Sequence, residues 1–182
     1  NVSMSATMRS MANAAGETTR NVVEIRAVDE SFPMLGEVTL EPQLPLHDAL
    51  GCNQTICGTV VEGTLFARLG IEIGDVVHVG DKDYLVRAQL FTEPDRISGG
   101  FSLGPRLMIS REGLEQSGLV VPGSLINYHY DVAFTEPLAP DYFEAVLDSE
   151  FPNHVWRVRD HTNAVPAVAR FVRQATLFLT LV

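Results

Sequence analysis

The stretch from Thr59 to Leu90 constrains the fold of this chain more than any other part of it. Thr59–Val61 is a short apolar strand, and Leu65, Phe66 and Leu69 recur at helical spacing over 62–69. Gly70 follows at the position where a left-handed residue commonly ends a helix. Gly74-Asp75 then makes a turn and Val76–Val79 a strand. Gly80-Asp-Lys-Asp83 makes a hairpin turn and Tyr84–Leu90 the returning strand. Strands and a single short helix, joined by tight turns, point to an α+β domain rather than a regular βαβ repeat.

The flanking sequence fits that class. Residues 2–12 alternate loosely and read as a strand, and Val22–Val28 alternate more strictly. Glu37–Leu40 is a short strand, Pro42 and Pro45 punctuate the next connection, and Leu46–Leu50 is a single helical turn. Residues 91–100 form a loop rich in Gly, Pro and Asp. Leu107–Ile109 is a strand, Ser110 a helix N-cap without a capping-box partner, and 111–118 a short helix ending at glycine. Ser124–Ala133 alternates strongly as a strand. Asp141–Ser149 is a helix with Tyr142, Phe143, Val146 and Leu147 on one face. Val155–Val158 reads as a last strand, and Pro166 opens a final helix.

Charge narrows the function classes. The 182 residues carry a net charge of −10, and Lys82 is the only lysine, which argues against a nucleic-acid surface. Arg157, Arg159, Arg170 and Arg173 against Asp160 give the segment from Phe151 onward +3, which leaves about −13 for the rest. That basic segment ends in the apolar run Ala175–Val182 with no C-cap signal. The run reads either as the start of a membrane helix, a full span of which takes about 20 apolar residues, or as a buried C-terminal helix.

Candidate chemistry is sparse. The C-x4-C spacing of Cys52 and Cys57 allows a small disulfide in an oxidising compartment; the other reading is two free, half-buried thiols. No second Cys or Cys/His pair supplies the four ligands of a zinc site, and His154 and His161 are too far apart for a metal pair. Ser102 and Ser124 lack the G-x-S-x-G elbow of a hydrolase. His47-Asp48 are merely neighbours on the chain, and His129 sits in a strand opposite Tyr128 and Tyr130. Phe143 and Trp156 read as core. Glu93, Asp95 and Arg96 could form an acid–base cluster; the plainer reading is a loop held by local hydrogen bonds. No cofactor or metal is expected.

The run ARLGIEIGDVVHVGDKDYLV at 67–86 resembles a segment of the extracytoplasmic domains of the FtsX-like permease superfamily, which includes MacB-like exporters. TEPDR at 92–96, GGFSLGPRLMIS at 99–110 and SGLVVPGSLINYHY at 117–130 look like one subgroup of ABC transporter permeases, the YbbP type. VVEIRAVDESFPMLGEVTL at 22–40 and ARFVRQATLFLTLV at 169–182 fit the same subgroup. The resemblance implies a domain on the periplasmic face of the bacterial inner membrane. A split α/β, porter-like half would be built from 1–45 and 125–165, with a β-rich lobe inserted at 46–124 and a membrane helix starting in 166–182. It further implies a non-enzymatic subunit that transmits ATP hydrolysis on a separate cytoplasmic ATPase to the export or extraction of a hydrophobic substrate, with a periplasmic accessory protein as a further partner. No phosphate-binding G-x-x-x-x-G-K-[ST] loop occurs in this chain. The loop bearing Glu93, Asp95, Arg96, Phe101 and Leu103 becomes the candidate contact for a partner or apolar substrate. The alternative is a stand-alone soluble binding or hydrolytic domain whose apolar C-terminus is core.

Overall fold

The computed structural model describes residues 1–94, 104–136 and 138–159. The chain folds as two compact units, Asn1–Ala133 and Phe134–Val182.

The described residues of the first unit form eight strands: β1 (Val2–Ala14), β2 (Asn21–Val28), β3 (Thr39–Glu41), β4 (Cys57–Glu62), β5 (Val76–Val79), β6 (Lys82–Thr92), β7 (Arg106–Ser110) and β8 (Asn127–Val132). Six of them close into a ring. β1 pairs β2, β2 runs parallel to β7, β7 pairs β4, β4 runs parallel to β6, β6 pairs β5, and β5 returns to β1. β1 is long because it serves three partners: β8 along Val2–Thr7, β2 along Ser5–Ala12 and β5 at Ala12–Ala14. β3 adds to the far end of β6.

A closed ring gives every strand an inner and an outer face, and the period of two assigns residues to them. Ala6, Met8 and Ala12 of β1 face inward with Val23, Ile25 and Ala27 of β2. Val77, Val79, Tyr84, Val86, Leu107 and Ile109 complete this inner cluster, and Leu65, Ile71 and Leu114 pack with it. A second cluster lies on the other face of β4 and β7. There Val60, Met108, Ala88 and Leu90 are covered by Ala49 and Leu50 of α1 (Leu46–Leu50), by Phe32 and by Leu40. Burial on both faces is why β4 and β7 read as short, nearly continuous apolar runs.

The connections use the chemistry the sequence advertises. α2 (Gly63–Leu69) ends at Gly70, whose φ of 64° is the left-handed conformation of a helix stop. In the Gly74-Asp75 turn, Gly74 N donates to Val86 O and Val86 N donates to Asp75 O, while Asp75 Oδ2 accepts from Glu72 N. Ser110 caps α3 (Arg111–Gln116) by accepting from Gly113 N at 3.0 Å. Tyr84 is wholly buried and its hydroxyl donates to Gly113 O at 2.7 Å. Burial pushes the Tyr84 phenol up to about 12. An unfolded tyrosine titrates near 10. The stability this phenol contributes is therefore complete below about pH 10 and falls by about 1.4 kcal/mol per pH unit up to about pH 12. Urea unfolding between pH 9 and 11.5 should show this slope in the native sequence and a shallower one in Tyr84→Phe.

The second unit is described over 134–159, residue 137 excepted. It contains α4 (Pro140–Glu150), none of whose residues is buried. Phe134 meets Phe143 edge-on at 5.1 Å. His154 stacks on Trp156 and pairs with Asp148 at 2.7 Å.

β1 and β2, from 1–45, share one closed sheet with β4 to β7, from 46–124. Two expectations need correction. Residues 155–158 form no strand, and Val155 is 94% exposed. Alternation makes such a segment competent to pair, but a ladder needs a partner edge. Trp156 is half exposed against Phe151 and His154, not core. The helix expected from Pro166 and the membrane entry in 166–182 lie outside the described residues. No helix among the described residues is long and apolar enough to cross a membrane.

Candidate functional site

The outer face of β2 carries Glu24 and Arg26, alternating with the inward Val23, Ile25 and Ala27. The parallel register sets Glu24 opposite Arg106 and Arg26 opposite Met108. β6 and β7 flank β4, so Glu93 and Arg106 lie on either side of the end of β4 at Glu62. Three long-range placements thus bring Glu93, Arg26, Arg106, Glu24 and Glu62 to one end of the barrel.

Glu93 sits at the centre, its side chain 1% exposed. Its Oε1 accepts from Arg26 Nη1, and its Oε2 accepts from Arg106 Nε at 3.0 Å. Arg106 Nη1 lies 3.0 Å from Glu24 Oε1 as an ion pair without hydrogen-bond alignment. The backbone N–H of Arg106 donates to Glu62 Oε2 at 3.0 Å. Arg26 also reaches Ser5 Oγ at 3.4 Å and lies 4.6 Å over the Phe32 ring, while its Nε has no partner among the described residues. Two guanidinium groups in a site this dry fix the carboxylate in place. Each of its oxygens accepts from one arginine, so the side chain links the two guanidinium groups. One salt bridge, Glu93 to Arg106, joins the two positions that flank the 95–103 segment.

Apolar side chains surround this end. Gly36 (φ 79°) approaches the stem so closely that a Cβ there would stand 2.9 Å from Pro94 Cβ. Its neighbour Leu35 is 82% exposed, and Phe91, near the end of β6, is half exposed.

Of the loop residues singled out from sequence, Glu93 is this buried anchor. Asp95, Arg96, Phe101 and Leu103 lie outside the described residues. The partners of Glu93 are not local, since Arg26 and Arg106 come from two strands. Sequence reasoning missed both arginines, although opposite charges two apart on an otherwise apolar strand, as at Glu24 and Arg26, were a usable signal.

Two other features stand apart. Cys52 and Cys57 are joined in a disulfide. Its short loop is also braced by Asn53, whose Oδ1 accepts from the backbone N–H groups of Thr55 and Ile56. Cross-linking residues five apart stabilises by about 2 kcal/mol through chain entropy. The double variant C52S/C57S should lose roughly that much in urea unfolding and keep its fold. A shallow cleft of about 580 Å³ between the β1–β2 turn and the end of α2 is lined by Glu17, Thr19, Arg68 and Asp75 among others. Among the described residues no cluster of three or more His, Cys, Asp or Glu is set to hold a metal.

No protein-family model matches the chain. It is 26% identical over 167 residues to the uncharacterized ABC transporter permease YbbP of Escherichia coli strain K12. The match takes in 92% of this chain. This chain is related to an ABC transporter permease. It spans only about a fifth of that permease's length, 20%. A crystallised domain of a protein assigned as a permease in Porphyromonas gingivalis has a similar fold, with a TM-score of 0.53 at 12% identity. That likeness covers 85% of this chain and 64% of the other.

Proposed function

We propose that this chain is the periplasmic domain of an ABC transporter permease subunit. It passes the work of a separate cytoplasmic ATPase to the export, or extraction from the inner membrane, of a hydrophobic substrate. The observation that carries this reading is the sequence relationship to a permease, which runs through nearly the whole chain. The Cys52–Cys57 disulfide suits an oxidising compartment. The pairing of β1 with β8 supports a porter-like half to which both ends of the chain contribute. The 95–103 loop, braced at Glu93 and Arg106 beside exposed Leu35, is the surface for an apolar substrate or a periplasmic accessory protein. Residues 166–182 begin the membrane helix through which movement passes.

The test is topological. In the full-length protein carrying C52S/C57S, a cysteine introduced by Leu125→Cys occupies a site that is 91% exposed. A membrane-impermeant maleimide should label it in intact cells. Labelling only after lysis would place the domain on the cytoplasmic side and end this reading.

A further inference from the structure

Among the described residues, β8 is bonded on one side only. Asn1 N donates to Ala133 O at 2.8 Å and Ala133 N donates back to Asn1 O at 2.9 Å. The antiparallel register then directs the backbone groups of Asn127, His129 and Asp131 toward β1. Tyr128, Tyr130 and Val132 aim theirs the other way, to an edge where no strand lies among the described residues. Every residue of β8 is exposed, and the strand has no lysine, proline or bulge of the kind that blunts a sheet edge.

The side chains on this edge are complementary to themselves. A second β8 can bond antiparallel only where the outward residues Tyr128, Tyr130 and Val132 oppose one another. With Tyr130 opposite Tyr130, Tyr128 meets Val132 on one face, an apolar set exposed by 40–64%. On the other face His129 of each copy meets Asp131 of its partner, twice, at the closely spaced positions of the ladder. The two neighbouring registers are poorer, since one sets His129 against His129 and the other Asp131 against Asp131. We infer that β8 is a self-pairing edge by which two copies of this domain join antiparallel, about a two-fold axis through Tyr130.

Sedimentation equilibrium of the 182-residue chain tests this. A monomer–dimer equilibrium is expected at concentrations below about 1 mM. Tyr130→Pro removes an N–H that points away from β1, a position where an edge strand tolerates proline, and should weaken the dimer at least about tenfold. His129→Asp sets Asp against Asp and should weaken it by a similar factor, while H129D/D131H restores the pairing to within about threefold of the original. Circular dichroism confirms that each variant keeps its fold, and the histidine variants carry the test if proline does not. A chain monomeric up to about 1 mM, a dimer indifferent to His129→Asp, or no recovery in the double variant would each overturn the inference.

Discussion

Glu93→Gln should lower the folding stability of the barrel unit by about 3–5 kcal/mol, because it leaves two buried guanidinium groups facing a neutral side chain. The thermal midpoint should fall by roughly 10 °C or more. Urea unfolding measures the first figure and calorimetry the second. The size of the loss follows from geometry: the Glu93 side chain is 1% exposed and is the acceptor for both Arg26 and Arg106. Such clusters do not necessarily exceed a hydrophobic replacement in stability. A triple replacement of Glu93, Arg26 and Arg106 by apolar residues of similar volume should therefore lose much less than Glu93→Gln alone. What it would lose is the tie between the two stems of the loop. A loss below about 1 kcal/mol for Glu93→Gln would mean that water reaches the cluster.

The second large effect is on transport. Deleting residues 97–101 should leave the fold intact and abolish transport by the full-length protein in its membrane. The first half of this expectation is a matter of reach. β6 and β7 lie on either side of β4, so their ends are about 10 Å apart at the usual strand spacing. The residues left between Glu93 and Arg106 can span about 20 Å when extended. The stem salt bridge therefore survives the deletion, and the melting temperature should change by no more than a few degrees. The second half rests on the proposed role of the loop as the contact for an apolar partner or substrate. Unchanged transport would remove that role.

Local signals made most elements legible. The Gly70 helix stop, the Gly80 hairpin and the Ser110 cap depend on a few adjacent residues, and each forms as its chemistry requires. Partner choice was not legible. β2 and β7 are far apart in sequence, and no periodicity within either one names the other as its parallel neighbour. Closure of the barrel depends on such long-range pairings. The stem cluster was half legible. Glu93 stood out as an acid in a loop, but its burial follows from where β6 and β7 sit beside β4. The strand expected at 155–158 shows the converse, a local pattern without a pairing edge.

The most direct test of the account is purification of the full-length protein from membranes, followed by identification of what co-purifies. A cytoplasmic ABC ATPase is expected in the complex, with ATP turnover that changes when residues 97–101 are deleted. A full-length protein that is soluble and carries no ATPase would contradict the assignment to a permease.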